Sequence, residues 1–265
     1  MKLYRRKYGS GPPLIILHAL YGSSDNWVHI AKRLSGSFTC YLPDQRNHGR
    51  SPHSSEHNYP VMSNDIDELA VELQLGKFFL AGHSMGGKTA IHYALKHPEK
   101  LSGLLVADIS PFTTDTQYHR ACKQHINILS TIIDSDLRGL STRTEVESLI
   151  GDKIKSGKIR DFIMKNLERK PDSTLGWKLN ARALFDNLSH IMEGIERPGT
   201  DTEPVTGFPV IFLKGELSDY LPDTDFRDIQ RIFPSAELIK VRQAGHWIQA
   251  DSPDKVAEGL LRLLG

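Results

Sequence analysis

Residues 77–89 read Lys-Phe-Phe-Leu-Ala-Gly-His-Ser-Met-Gly-Gly-Lys-Thr. The apolar run Phe78-Phe79-Leu80-Ala81 has the character of a buried strand, and a helical pattern begins near Gly87. Between them, Gly82-His83-Ser84-Met85-Gly86 puts a serine at the apex of a strand-to-helix turn, the G-x-S-x-G frame of a nucleophile elbow. The same letters, Gly82 to Thr89, also spell G-x-x-x-x-G-K-[ST], a phosphate-binding loop. The stretch thus supports acyl transfer at a serine or nucleotide binding on a backbone cradle, and residues elsewhere must separate the two.

Outward from this stretch, strands and helices alternate. Residues 3–8 suggest an exposed opening strand or hairpin closed by Gly9-Ser10-Gly11-Pro12-Pro13, and Leu14-Ile15-Ile16-Leu17 has the continuous apolar run of a strand covered on both faces. A helix over 26–34, capped by Ser23 or Ser24, follows from the spacing of Trp27, Ile30, Ala31 and Leu34. A strand over 38–42, a polar loop over 45–51 and a helix over 65–75 lead back to the elbow. Another strand, 101–106, precedes Ala107-Asp108-Ile109-Ser110-Pro111. Such alternation predicts an α/β fold with a mostly parallel sheet and crossover helices.

After Pro111 about a hundred residues pass with no strand-like run, far beyond an ordinary connection. Cys122, Ile126, Leu129 and Ile133 keep helical spacing, as do Val146, Leu149 and Ile150, then Ile159, Phe162, Ile163 and Leu167. Trp177, Ala181, Leu184, Leu188, Ile191 and Ile195 continue it. Residues 112–206 are therefore expected to be a helical insertion, with 1–111 and 207–265 forming the core. Alternation resumes with a strand over 210–213, a helix over 225–232, a strand over 237–241 and a last helix over 253–264.

Composition removes several classes. With 265 residues, 39% hydrophobic, 25% charged and a formal net charge of +1, no basic excess points to nucleic acid and no run suffices to span a membrane. Cys40 and Cys122 cannot form a disulfide framework and are expected as buried thiols in a reducing compartment. The opening Met-Lys-Leu-Tyr-Arg-Arg-Lys-Tyr leaves no room for an apolar signal segment, so the expected location is the cytoplasm.

A serine nucleophile needs a base, a group that orients the base, and donors for the oxyanion. His246, in Gln243-Ala244-Gly245-His246-Trp247 between the last strand and last helix, lies at the sheet edge that carries Ser84. His83 adjoins the serine, but its side chain should point away. His48, His53 and His57 lack the carboxylate or cysteine partners of a metal site. For the orienting acid, Asp108 and Asp219 both follow strands at that edge, and the residues alone leave the choice open. The oxyanion donors are expected to be the N–H groups of Leu20 and Met85, with His18 bracing the Leu20 loop. Lys88, Thr89 and the run ending at Asp108 imitate a nucleotide site. That reading gives no reason for Ser84, for the His18 loop or for Gly245-His246-Trp247.

With these residues in place, the chain resembles the α/β-hydrolases over nearly its whole length, and within them the YbfF-type bacterial esterases and the mitochondrial abhydrolase and ethanol acetyltransferase branch. The stretches that carry the resemblance are His18 to Trp27, Asp44 to Ser51, Gly82 to Lys88, Val106-Ala-Asp-Ile-Ser-Pro111 and Ala244 to Trp247. The family has His-Gly where this chain has His18-Ala19, a change that narrows the hole and leaves its N–H donors. The resemblance implies Asp108 as the acid, a helical cap after the strand ending at Asp108, and a packing role for Trp177 and Asn180. It also implies an ester or acyl-thioester as small-molecule substrate, with short to medium acyl chains, or alcohol acylation by the same triad. It calls for no cofactor and no metal.

Overall fold

The computed structural model describes residues 1–265. Nine strands occur along the chain: β1 (Arg5–Tyr8), β2 (Pro13–Leu17), β3 (Thr39–Pro43), β4 (Phe78–His83), β5 (Leu101–Ala107), β6 (Leu167–Arg169), β7 (Leu175–Trp177), β8 (Val210–Gly215) and β9 (Ala236–Val241). Seven form one sheet in the order β1-β3-β2-β4-β5-β8-β9, with β6 and β7 forming a separate hairpin. Only β1 is antiparallel in the large sheet; it closes one edge by pairing Arg5 with Pro43 through Tyr8 with Cys40. The strand order reverses next to β4, so the carboxyl ends of β2, β4 and β5 open into one crevice.

Alternation along each parallel strand feeds two cores. On β2, Ile15 and Leu17 join Phe78, Leu80, Val106 and Phe212 on one face, while Leu14 and Ile16 join Phe79, Ala81, Leu105 and Leu213 on the other. The second face is covered by α1 (Val28–Arg33), whose Ile30 and Ala31 are buried there. The first is covered by α2 (Tyr59–Glu72) and α3 (Met85–Lys96), which bury Ile66, Leu69, Ala90, Ile91 and Ala94. The α2 helix begins six residues before the expected start at 65. Asn58 accepts a capping bond from the Val61 N–H at 3.0 Å and Pro60 sits in the first turn.

Between β5 and β8 lie α4 (Asp115–Asp134), α5 (Arg143–Gly151), α6 (Gly157–Met164), the β6–β7 hairpin, α7 (Ala181–Asp186) and α8 (Leu188–Met192). They pack around a third core that includes Leu129, Val146, Ile163 and Leu184 and reaches down to Leu20, Tyr21 and Met85. The hairpin departs from the all-helical expectation, and it places Trp177 in a strand. Its turn is made by Asp172, which accepts from the Thr174 N–H at 3.0 Å and its hydroxyl at 2.6 Å, and by Ser173 at φ +68°. The helical spacing over 181–191 survives in two helices. Asn187 breaks them by donating to Ser55 O at 2.7 Å and Ala183 O at 2.8 Å.

The chain finishes with α9 (Phe226–Ile232), α10 (Ile248–Asp251) and α11 (Pro253–Arg262), the last burying Val256, Ala257 and Leu260 against the second face. Cys40 is buried, which pushes its thiol up to about 12. Cys122 is only half-buried on α4, against expectation, because that part of the helix lies outside the third core. No helix is long and apolar enough to cross a membrane.

The closest backbone approach at the site joins β4 to α3. A Cβ on Gly82 would stand 2.1 Å from the carbonyl oxygen of Gly86, and neither backbone can yield without moving the turn. Gly82→Ala is expected to cost about 3–5 kcal/mol, a melting-temperature drop of roughly 10 °C for a chain of this size. A thermal melt within 2 °C of the parent would contradict this.

Candidate active site

Ser84 stands between β4 and α3 with φ +53° and ψ −118°, a conformation that a residue with a Cβ adopts only when its surroundings impose it. The Ser84 N–H is tied to Ala107 O at 3.1 Å, and Gly86 fits so closely against β2 that a Cβ would meet His18 O at 2.6 Å. The hydroxyl is thereby lifted off the sheet, where it meets His246 Nε2 at 3.1 Å.

Behind the imidazole, His246 Nδ1 and Asp108 Oδ2 are 2.8 Å apart. Asp108 is fully buried. Its other oxygen accepts from the Gly215 N–H at 2.8 Å, and Oδ2 also accepts from the Ser218 hydroxyl. A buried carboxylate is tolerable only with such partners. Asp108 itself has φ +50°, pinned by its N–H donating to Leu213 O at 2.7 Å. The Tyr220 ring lies nearly parallel to that of His246, centroids 3.8 Å apart and planes at 19°. From below, His83 Nε2 donates to the His246 carbonyl at 2.7 Å. His83 thus points away from the serine, as expected, and holds the histidine loop. A hydroxyl, an imidazole and a buried carboxylate so aligned can pass the serine proton to Nε2 while Nδ1–H stays on the carboxylate.

Asp219 takes no part in this line. Its carboxylate is 64% exposed and pairs with Arg120 of α4 at 2.6 Å. Lys88 is no phosphate ligand either. Its buried ammonium donates to Thr113 Oγ1 (3.1 Å), Met192 O (3.2 Å) and Glu193 O (2.5 Å), and burial pushes it down to about 7. The Thr89 hydroxyl is spent on Met85 O within α3.

The Leu20 loop is braced by buried histidines. His18 Nδ1–H donates to Ala19 O at 2.9 Å, and His18 Nε2 accepts from the Gln45 N–H at 2.9 Å. His48 repeats the pattern, giving Nδ1–H to Arg46 O at 2.9 Å and accepting the Tyr21 N–H on Nε2 at 3.2 Å. His57 accepts from the Asn47 amide at 3.3 Å and faces Met85 Sδ at 3.5 Å. Burial lowers the pKa of all three. His53 stays outside this network and meets Lys178 O at 3.1 Å. Neither the Leu20 nor the Met85 N–H has a protein acceptor, and both residues line a cavity of about 340 Å³ shared with Ser84 and His246. Its walls are mostly apolar, with Phe112, Ile128, Ile159, Phe162, Ile191 and Met192 among them.

Several participants had no signal in the sequence. Ser218 and Tyr220 flank Asp219, the residue of this loop that the sequence pattern picks out. Asn180, expected in packing, caps α7 and donates to Asn47 Oδ1 at 3.0 Å, while Trp177 donates to the Ser135 hydroxyl at 2.9 Å.

Comparison with known proteins shows the family and the fold. The family model described as the alpha/beta hydrolase fold matches residues 12–145. The chain is 36% identical over 249 residues to the sn-1-specific diacylglycerol lipase ABHD11 of Danio rerio, covering 92% of this chain and 76% of that protein. It is 28% identical to the esterase YbfF of Escherichia coli K12, covering 95% and 92%. Among solved structures, a marine microorganism esterase superposes with a TM-score of 0.92 at 42% identity, covering 99% of both chains.

The buried histidines make the loop acid-sensitive. His57, desolvated and facing the Arg46 charge, is held at about 3 against an ordinary 6.5. Between those values the unfolded chain binds a proton that the folded chain does not, so stability falls as pH drops below 6.5. At pH 5 this single group accounts for about 2 kcal/mol. His57→Gln is expected to flatten the fall in melting temperature between pH 7 and pH 5; an unchanged slope would show that His57 does not titrate this way.

Proposed function

Because the chain belongs to the α/β-hydrolase fold family, we propose that it acts by two-step acyl transfer at Ser84, with His246 as base and Asp108 as orienting acid. The protein is a carboxylic ester hydrolase of the esterase or lipase type. The observation that carries the mechanism is the line from Ser84 Oγ to His246 Nε2 at 3.1 Å and from Nδ1 to Asp108 at 2.8 Å, at the floor of the cavity.

Ser84 Oγ attacks the ester carbonyl carbon as its proton passes to His246 Nε2. The carbonyl oxygen becomes an oxyanion and takes hydrogen bonds from the Leu20 and Met85 N–H groups, which donate to nothing in the protein. Collapse breaks the bond to the leaving oxygen, which receives the proton from His246. Water then repeats the sequence on the acyl-enzyme and releases the acid. Asp108 stays ionised throughout, opposite the imidazolium, whose face is covered by the Tyr220 ring. An acyl-thioester follows the same course with a thiol leaving.

Residues 112–206 serve as a cap over the core formed by 1–111 and 207–265, and they supply about half of the apolar wall. A cavity of about 340 Å³ sits near the lower end of the range for ligand pockets, which supports short to medium acyl chains.

Ser84→Ala is expected to lower turnover of p-nitrophenyl butyrate by about 10⁶-fold; a loss of only a few-fold removes this site from the reaction. Asp108→Asn is expected to cost on the order of 10⁴-fold, and Asp219→Asn, whose partner is an exposed arginine, less than about threefold. A crippled Asp219→Asn beside a competent Asp108→Asn would reverse the assignment.

A further inference from the structure

Leu20 sits in a tight turn in which the Gly22 N–H donates to Ala19 O at 2.8 Å. The third residue of this turn is Tyr21, with φ +64°, where turns place glycine or asparagine because a Cβ is strained there. Such a conformation lasts only if its surroundings over-determine it, and Tyr21 is held at every polar group it has. His48 of the core accepts its N–H at 3.2 Å. The other two partners come from the segment inserted between β5 and β8. Asn166, buried just after α6, donates from Nδ2 to Tyr21 O at 2.9 Å, and His125 of α4 shares a 2.8 Å hydrogen bond with the Tyr21 hydroxyl.

We propose that Tyr21 is a positioning residue through which the inserted segment sets the oxyanion hole, with Asn166 and His125 as the hands that hold it. The proposal rests on the reading of Leu20 and Met85 as oxyanion donors. The N–H of Leu20 belongs to the residue directly before the strained one, so any relaxation of Tyr21 re-aims it, and misplacement by about 1 Å costs on the order of 10²-fold in rate. His125 also lines the cavity, so whatever fills the space beneath α4 bears on the bond that fixes Tyr21. The hole is complete only while the segment is seated. Asn166 and His125 act at 145 and 104 residues' remove from Tyr21, touch neither Ser84 nor His246 through a hydrogen bond, and still govern the rate of the chemical step.

The test uses Tyr21→Phe and Asn166→Ala in the full chain, with active sites titrated by a fluorophosphonate and p-nitrophenyl butyrate as substrate. Asn166→Ala is expected to lower kcat per titrated site by about tenfold or more, within the loss from deleting one oxyanion donor, with KM changed less than threefold. Tyr21→Phe, which removes one hydroxyl and keeps the ring, is expected to lower kcat severalfold and settles the matter if Asn166→Ala does not fold. Inhibition by an alkylboronic acid, whose tetrahedral adduct places an oxygen in the hole, should weaken by the same factor as kcat/KM. A merely structural role would lower the melting temperature and the titrated fraction while leaving kcat per site at the parental value. That outcome, or a loss confined to KM, overturns the proposal. Absence of fluorophosphonate labelling at Ser84 in the parent would instead overturn the reading on which it rests.

Discussion

The structure depends on one crowded backbone crossing. Where β4 turns into α3, the positions of Gly82 and Gly86 lie so close to each other and to the end of β2 that a methyl group on either would fall inside 3 Å of a carbonyl oxygen. This approach leaves Ser84 no ordinary conformation and holds its hydroxyl clear of the sheet. Since β4 is the central strand of seven, the serine's position fixes the origin for everything else at that edge. Asp108, at the end of the neighbouring strand, is likewise at positive φ. Two strained residues on adjacent strands point at one histidine, and packing elsewhere offsets their cost.

The histidines show how the rest of the edge is kept in register. His18 and His48 each use one ring nitrogen as donor and the other as acceptor of a backbone N–H. That fixes their tautomers and keeps them neutral. A protonated ring has no acceptor, so either would lose its grip on a loop. His246 differs because its Nδ1 faces a carboxylate, the arrangement that stabilises the cation the proposed reaction requires. The same residue type thus serves as clamp where it is dry and paired with backbone, and as base where it opens on the cavity.

The sheet, the serine and the histidine were legible in the sequence because each has a local signature: continuous apolar strands, a turn that only glycines permit, and a histidine between the last strand and last helix. The residues alone did not separate Asp108 from Asp219, since both follow a strand at the same edge, and only the family resemblance pointed to Asp108; the two differ in burial, which depends on Gly215 and Ser218 arriving from β8. The β6–β7 hairpin was missed because three-residue strands have no period to read. Its tight turn depends on hydrogen bonds to Asp172 that spacing does not show. Tyr220 on His246 and Asn166 on Tyr21 are tertiary contacts between distant segments, and nothing near either residue announces them.

The inserted segment is held to the core by contacts of unequal burial. At its stem, the buried Lys88 ammonium ties Thr113 to Met192 and Glu193, and the Ile195 N–H donates to Pro111 O at 2.8 Å, so both ends of the segment are stitched together on the elbow helix. Across the opening, the ties are Arg120 to Asp219 at 2.6 Å and Lys158 to Asp251 at 3.2 Å, with Lys158 also over the Trp247 ring. Three of these four charged groups are more than half exposed, and such pairs contribute only about 0–1 kcal/mol each. The stem is the drier contact, because Lys88 is buried among its three oxygen acceptors. The side between α4, α6 and the Trp247 turn is crossed by solvated charge pairs as well as by the bonds from Asn166 and His125 to Tyr21. The inserted segment thus meets the catalytic edge at two polar points, the stem on Lys88 and the Leu20 turn through Tyr21.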